Sequence, residues 1–260
     1  MSQRLSVQQA IDALASEPLR HLVLLKQLVA YPDHVTVHQV TGVEGTATLV
    51  MLAAAASSYD RHAYPDAGIA AFIESDHPAL TASLMRHVPR GVGIVFKLSR
   101  PADLPAVETA FPVVRRTAFV SFTSDGGCER DCGVCVTAAP GRAAFELFAT
   151  QGHERAWLEP LLQAGRAFAC VLVCDGETRS ACITFENYGP VWEVGGVVTA
   201  SSHRRKGLGA RVVRTALAEL AKRRLVPRYQ VEEHNEASIR LARSVGLAAF
   251  LTVVHYGYRC

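Results

Sequence analysis

Apolar residues recur at two different spacings along this chain, and the spacing predicts the type of each element. Residues 6–30 carry leucines and valines at helical spacing, whereas residues 34–40 alternate between apolar and polar in the manner of a strand. A second strand is predicted over residues 46–54, across a turn between Gly42 and Gly45. Helices and strands then alternate up to about residue 123, which is typical of an α/β domain.

The pattern is interrupted and then starts again. Glycine and small polar residues cluster over residues 124–142, and we interpret this segment as a linker. One or two helices are predicted over residues 142–165, followed by two strands joined at Asp175-Gly176, a typical hairpin turn. A strand, a long helix, another strand, a helix and closing strands follow. The sequence therefore predicts two domains, residues 1–125 and residues 126–260.

Composition narrows the class of protein. Of the 260 residues 49% are apolar and 20% are charged, which is globular composition. The 27 basic and 24 acidic residues leave a net charge of only +3, so we expect no nucleic-acid partner. The longest apolar run, residues 47–56, is too short to span a bilayer, and the N-terminus lacks the apolar core of a signal peptide. We expect no membrane association and a cytoplasmic location.

The segment from Thr199 to Leu220 carries the clearest chemical signal. A predicted strand leads to Arg204, Arg205 and Lys206, then to Gly207-Leu208-Gly209, and directly into a long helix. The N–H groups at a helix start converge on an anion, and glycine lets a phosphate approach the backbone closely. The alternative is a solvated basic loop whose glycine only permits a turn.

A second signal lies about thirty residues further on, at Asn235, Ser238, Leu241, Gly246 and Leu247. Together with the strand EVGGVVT and the loop RRKGLGA, this segment resembles the GNAT superfamily of N-acetyltransferases over roughly residues 140–258. The resemblance implies a mixed, mostly antiparallel sheet flanked by helices. A dinucleotide-binding fold would require its glycines near the first strand and an acidic residue about twenty positions later; the chain has neither.

The resemblance implies acetyl-CoA as a substrate and no metal. The strand residues Val197, Val198 and Thr199 would bind the pantetheine arm. The N–H groups from Arg205 to Ala210, across Lys206, Gly207, Leu208 and Gly209, would bind the pyrophosphate, with Arg204 beside them. Arg205 could equally well be solvated. Asn235 and Ser238 match positions near the thiol end of acetyl-CoA, and the alternative for Asn235 is a helix N-cap.

Transfer to an amine requires a group that accepts its proton. Glu193 matches the catalytic glutamate of the histone-acetylating branch, and the alternative is a structural carboxylate on its strand. Glu232, Glu233 and His234 are secondary candidates. A departing thiolate also benefits from a proton donor, but the usual tyrosine position holds Ala242 here. We name Ser238, Tyr256 and Tyr258 as replacements, and note that the thiolate could leave unaided.

Cys128, Cys132 and Cys135 have a spacing that could hold an iron–sulfur cluster, or a zinc ion with His153 as a fourth ligand. The sequence after Cys135 continues as the acetyltransferase, so we expect free thiols. The odd count of seven cysteines makes a disulfide framework equally unexpected.

These observations predict an acetyl-CoA-dependent N-acetyltransferase that acts on the amine of a small molecule or amino acid, as a monomer or homodimer. The alternative is a non-catalytic coenzyme A-binding regulatory protein, which Ala242 and the large first half suggest. The layout is similar to that of glycine N-acyltransferases. The first half approximates the same element order without a glycine-rich helix entrance, because Gly91 and Gly93 precede a strand. We therefore expect it to be a degenerate GNAT-like domain with no cofactor of its own, the alternative being an unrelated α/β domain.

Overall fold

The computed structural model describes residues 2–260, and the chain forms two compact units. Unit 1 holds the residues up to Phe119 together with Leu251–Cys260, and unit 2 is Val120–Phe250. The predicted division was 1–125 and 126–260. The structure differs at both ends of unit 2, because its boundary falls inside a strand and the last ten residues belong to unit 1.

The first half of the chain contains six strands and five α-helices among the described residues. In chain order they are β1 (Ser2–Leu5), α1 (Val7–Leu14), α2 (Leu22–Ala30), β2 (Val35–Gly42), β3 (Gly45–Ala53), α3 (Ser58–Ala63), β4 (Ile69–Ser75), α4 (Pro78–Leu84), β5 (Ile94–Leu98), α5 (Leu104–Ala110) and β6 (Val114–Thr123). The helical prediction over residues 6–30 is confirmed as two helices with a break between them. Pro18 lies in that break, where a residue without an N–H group cannot continue a helix.

The second half has the same order apart from the short α3. Its elements are β7 (Val134–Thr137), α6 (Arg142–Ala149), α7 (Arg155–Gln163), β8 (Ala167–Cys174), β9 (Glu177–Tyr188), β10 (Val191–Thr199), α8 (Leu208–Lys222), β11 (Val226–Glu232), α9 (Glu236–Ser244) and β12 (Ala248–Tyr258). β7 lies within the segment that we interpreted as a linker. The predicted hairpin at Asp175-Gly176 is confirmed, since both residues have positive φ and Cys174 faces Glu177 across the turn.

The two units share one strand order. Unit 1 runs β1-β2-β3-β4-β5 and unit 2 runs β7-β8-β9-β10-β11. In each unit three antiparallel pairs are followed by one parallel pair, β4 with β5 and β10 with β11. The predicted fold, a mixed and mostly antiparallel sheet with helices on its faces, is confirmed.

The last strand of the chain completes unit 1. β12 pairs with β5 in antiparallel register from Val254↔Leu98 to Tyr258↔Ile94. β6 runs on to Thr123, whose side chain donates to the carbonyl of Pro227 inside unit 2. Strand pairing, and not position in the chain, therefore decides which unit each of these segments belongs to.

The sheet of unit 2 is covered on both faces, because alternate side chains of each strand point in opposite directions. Phe168, Cys170 and Leu172 of β8 pack with residues of α8 and α9 on one face. Ala167, Ala169 and Val171 pack with residues of α6 and α7 on the other. The candidate site has a different lining on each of these two faces.

Within residues 2–260, no helix combines the length and the apolar character needed to cross a membrane.

Candidate active site

Two neighbouring strands of unit 2 separate in the middle of the sheet. β10 and β11 are in parallel register only from Val191↔Val226 to Glu193↔Arg228, although β10 continues to Thr199. On its other side β10 stays paired with β9 as far as Thr199↔Ser180. From Val194 onward, β10 is therefore not in register with β11 in the described structure. The backbone groups on this edge of β10 can bind a ligand.

A bulge marks the point where the strands separate. The register of β10 with β9 shifts between Gly195 and Val198, and Gly196 has a φ of +56°. A Cβ at Gly196 would lie 2.9 Å from Ile183 Cγ1 and 3.0 Å from His153 Cδ2. Both the backbone angle and the close approach require glycine here.

The basic loop leads directly into the 15-residue helix α8. Arg205 and Gly207 both have positive φ, at 61° and 74°, and Gly207 is the N-cap. The N–H groups of Ala210 and Arg211 donate to the carbonyl of Gly207, so the groups of residues 205–209 are those available to an anion. The predicted pyrophosphate site also included the N–H group of Ala210, which here donates to Gly207.

The three consecutive cations of the loop, Arg204, Arg205 and Lys206, are all exposed. Arg204 donates from Nε to the carbonyl of Thr199 at 3.3 Å, which ties the loop to the end of β10. The charge of this loop adds to the positive end of the α8 dipole.

Gly209 shows that three elements converge on this loop. A Cβ built there would lie 3.6 Å from Leu241 Cδ2, 3.7 Å from Thr199 Oγ1 and 3.8 Å from Val197 Cγ1. Val197 and Thr199 thus lie beside the α8 entrance, together with Leu241 of α9. Leu208 and Ala210 pack against the core on the α8 face. The side chain of Val198 instead lies in the opposite core, and its carbonyl accepts from Ser180 Oγ at 2.9 Å.

The start of α9 contributes a pair of hydroxyl groups. Asn235 Oδ1 accepts the N–H of Ser238 at 3.0 Å, so Asn235 is the N-cap of this helix. Ser238 Oγ lies 2.7 Å from the phenol oxygen of Tyr229, which is 2% exposed. Burial raises the pKa of Tyr229, with the Ser238 hydrogen bond opposing, and so keeps the phenol protonated. Tyr229 directly follows Arg228, the last residue of β11 in register with β10.

Sequence reasoning missed Tyr229, because an apolar ring in a strand is the ordinary signal of a core residue. Only the tertiary structure sets its hydroxyl against Ser238.

Glu193 is held by donors on both carboxylate oxygens. Oε2 accepts from Asn187 Nδ2 at 2.6 Å and from Arg228 Nη1 at 2.9 Å, while Oε1 accepts the N–H of Gln230 at 2.9 Å. Arg228 is itself buried and also donates to Ser121 Oγ. These contacts occupy lone pairs that a general base needs, so the geometry favours the structural role of Glu193.

Tyr256 lies in the other unit. It packs in the core of unit 1, opposite Phe96 in the β12–β5 pair, and Tyr258 packs beside it against Phe111. The pairing of β12 with β5 thus places both tyrosines in unit 1. The hydroxyl that bonds Ser238 Oγ is that of Tyr229.

Glu232, Glu233 and His234, at the end of β11, are the one group of side chains in residues 2–260 whose ligand atoms lie close enough to hold a metal ion. They are half-buried or exposed and bond among themselves, since the His234 N–H donates to Glu232. The thiols of Cys128, Cys132 and Cys135 do not form such a group: Cys128 Sγ lies 3.7 Å from the carbonyl of Val245, while Cys132 and Cys135 are exposed.

Comparison with known proteins agrees with this geometry. Residues 140–247 match the profile of the Acetyltransferase (GNAT) family, and this range contains β10, the loop, α8, β11 and α9. No protein of curated function matches the chain at a significant level.

Several solved structures share the fold over almost the whole chain. An acetyltransferase of the GNAT family from Colwellia psychrerythraea has a TM-score of 0.57 at 11% identity, covering 100% of both chains. A tandem GNAT protein from the clavulanic acid biosynthesis pathway has a TM-score of 0.55 at 14% identity, covering 99% of this chain and 98% of its own. A GCN5-related N-acetyltransferase from Sphaerobacter thermophilus gives 0.54 at 14% identity, covering 99% and 94%.

At such identities the likeness shows the fold. It includes a protein with two GNAT domains in tandem, in agreement with the repeated strand order of units 1 and 2. The similarity in layout to glycine N-acyltransferases stays a prediction.

Proposed function

We propose that this protein is an acetyl-CoA-dependent N-acetyltransferase that acts on the amine of a small molecule or amino acid. One observation carries the proposal: β10 leaves β11 beside a glycine bulge and then leads into a basic loop at the start of α8, all within the family match. An open strand edge and a helix N-terminus at its end suit an extended ligand that ends in a pyrophosphate.

The binding roles follow from position. The backbone of β10 around Val197 and Thr199 hydrogen-bonds the pantetheine amides, and the N–H groups of residues 205–209 hold the pyrophosphate. Exposed Arg205 and Lys206 add positive charge, while Arg204 positions the loop against β10. Asn235 acts through α9, because its side chain is used in capping that helix.

The reaction is a direct attack of a neutral amine on the thioester carbonyl. A C–N bond forms, the C–S bond breaks, and the sulfur leaves with its electron pair. Tyr229 remains protonated and shares a hydrogen bond with Ser238 Oγ. In the proposed step the phenol is the donor, which leaves the hydrogen of Ser238 for the departing thiolate. This pair takes the place of the tyrosine that is usual at the position of Ala242. A hydrogen bond to a charged group is stronger than a neutral one, so it favours departure.

Two substitutions at Gly209 test the binding site. The Cβ of Gly209→Ala would make only ordinary contacts, at 3.6 Å or more, so this variant folds normally. Gly209→Glu adds length and a negative charge where phosphates bind. We expect a ~100-fold or greater loss of acetyl-CoA affinity for Gly209→Glu, which corresponds to about 2.7 kcal/mol, and no more than ~10-fold for Gly209→Ala.

Calorimetric titration with acetyl-CoA measures both effects. Gly141→Glu is a matched control, because it adds the same charge at an exposed helix N-cap with φ −67° and nothing within 4 Å of the new Cβ. Equal affinities for Gly209→Glu and Gly141→Glu would contradict the assignment of this loop.

The alternative, a regulatory protein that binds coenzyme A without turnover, rests on Ala242, which is fully buried in the core. Measurement of coenzyme A release with a panel of amines distinguishes the two functions. Tight acetyl-CoA binding without release for any amine would favour the regulator.

A further inference from the structure

A cluster of three rings lies beside the bulge of β10, on the face of the sheet covered by α6 and α7. His153, between these helices, has its ring centroid 5.6 Å from that of Trp157, and Trp157 meets Phe185 of β9 edge to face at 5.1 Å. We refer to His153, Trp157 and Phe185 as the aromatic wall.

The glycines of the bulge leave this wall uncovered. The Cβ that Gly196 lacks would lie 3.0 Å from His153 Cδ2, and the Cβ that Gly195 lacks would lie 3.8 Å from Phe185 Cε1. The ring of His153 therefore lies directly against the backbone of β10 at the point where it leaves β11.

Trp157 is exposed although its ring packs against that of Phe185. Its side chain is 42% exposed, whereas the other tryptophan, Trp192, is 7% exposed. Phe185 is only half-buried at the edge of the α6–α7 core. Large rings left partly open beside a ligand-binding strand commonly hold an apolar part of a ligand.

The two faces of the site thus carry different chemistry. Gly209, Leu241, Tyr229 and Ser238 belong to the side of α8 and α9, and the aromatic wall belongs to the side of α6 and α7. An acyl group held at the bulge would have the hydroxyl pair on one side and the rings on the other. The amine adds to one face of the planar carbonyl, so an acceptor held by the rings would add to the face that they line.

We propose that the aromatic wall is the acceptor subsite: Trp157 and Phe185 hold the flat apolar group of an arylalkylamine, and His153 accepts the proton of the attacking nitrogen. This inference rests on the proposed acetyl transfer.

The protons and electrons of the step balance. The nitrogen lone pair forms the C–N bond, and the carbonyl pair moves onto oxygen. A ring nitrogen of His153 takes the N–H proton from the tetrahedral intermediate. The intermediate then collapses, the carbonyl re-forms, and the sulfur leaves with the C–S pair. His153 releases its proton to solvent, and the thiolate takes one from solvent, so the net transfer is from nitrogen to sulfur. Glu193 cannot easily perform this role, because its carboxylate already accepts from Asn187, Arg228 and Gln230.

The surroundings keep the imidazole neutral. Burial lowers the pKa of His153, so the ring is in its basic form at pH 7. The charged groups on the elements packed around it are paired with each other: Glu193 with Arg228, Glu186 with Arg166, Arg155 with Glu159, and Arg142 with Glu146. Glu154, the next residue in the chain, is exposed. The rate is therefore expected to fall as the pH decreases through the pKa of His153.

Steady-state kinetics with 2-phenylethylamine and ethylamine tests the subsite. His153→Gln keeps a polar side chain but removes the base, and we expect kcat to fall by ~100-fold or more with unchanged acetyl-CoA affinity and loss of the acid limb of the pH profile. Trp157→Ala should raise KM for 2-phenylethylamine ~10-fold or more and leave KM for ethylamine nearly unchanged, while Trp157→Phe retains most of the affinity. The control is His62→Gln, an exposed histidine of α3 in unit 1.

Tryptophan fluorescence separates this inference from the proposed function. The fluorescence of Trp157 should be quenched when 2-phenylethylamine binds to the coenzyme A complex. This quenching should disappear in Trp157→Phe. Quenching without turnover for any amine would reject acetyl transfer and the base role but retain the subsite. Absence of the quench, equal KM effects for both amines, or an unaltered kcat and pH profile in His153→Gln would overturn the inference.

Discussion

At the scale of single residues, polar groups buried beside the strand separation decide what the site can do. Glu193 and Tyr229 are adjacent to the same break in the β10–β11 register, yet their environments differ. Glu193 accepts from three donors, whereas Tyr229 OH bonds the hydroxyl of Ser238. A hydroxyl can donate and accept at once and so can orient the hydrogen of a neighbouring hydroxyl, whereas an ionised carboxylate only accepts.

Tyr229→Phe tests whether the phenol hydroxyl orients Ser238. Removal of the phenol hydroxyl leaves Ser238 free to rotate, so we expect kcat to fall roughly tenfold or less, as for the loss of one hydrogen bond, with KM for acetyl-CoA unchanged. Ser238→Ala should lower kcat further, and the double variant should be no slower than Ser238→Ala, because the two groups act through one hydrogen bond. Tyr31→Phe, a half-buried tyrosine of unit 1, is the control. Additive effects of the two substitutions would show that they act separately.

At the scale of elements, three segments of unit 1 enclose a buried polar cluster. Lys97 of β5 pairs with Asp60 of α3 at 2.5 Å, and its ammonium lies 4.4 Å from the centre of the Phe72 ring. His255 of β12 faces Lys97 across the strand pair, and its Nδ1 lies 2.6 Å from the hydroxyl of Tyr64. Burial, and then the charge of Lys97, lowers the pKa of His255 to about 3.

This pKa predicts acid sensitivity of unit 1. An unfolded histidine has a pKa of about 6.5, so between pH 6.5 and 3 the unfolded chain binds a proton that the folded chain does not. Stability is therefore lost as the pH falls below 6.5, by up to about 1.4 kcal/mol per pH unit. Urea unfolding at several pH values measures the slope. His255→Gln removes the titration and should reduce the slope, whereas His62→Gln should not. Equal slopes in wild type and His255→Gln would contradict the prediction.

At the scale of the whole molecule, the chain repeats one element order twice and places its last strand in the first unit. The repeat does not extend to the site. β4 and β5 stay in register over five residues, and α4 begins with a proline and the capping side chain of His77. Unit 1 therefore lacks, in the described residues, the open strand edge and the row of N–H groups found in unit 2. That unit 1 binds no coenzyme A stays a prediction.

Deletion of Leu251–Cys260 tests the assignment of the last strand. Although these residues follow the acetyltransferase segment in the sequence, they include the buried Val253, His255 and Tyr256 of unit 1. We expect the deletion to expose β5 and to lose hydrogen-exchange protection over Ile94–Leu98, with a smaller effect on β8 and β9. Deletion of Arg259 and Cys260 alone, both exposed, should change little. Loss of protection confined to unit 2 would contradict the assignment.

The mixed sheet was implied by the family resemblance, and β7 was missed within the predicted linker. Local sequence patterns determined most of the element order, the loop at the start of α8 and the N-cap alternative for Asn235. These features depend on local periodicity and on glycines at defined positions, which adjacent residues are enough to specify. The tertiary structure decided which polar groups meet: Arg228 with Glu193, Tyr229 with Ser238, and His153 with the bulge. It also decided that Tyr256 belongs to unit 1. Such contacts join residues far apart in the chain, and no local pattern records them, because side-chain pairing across a sheet depends on strand order and register.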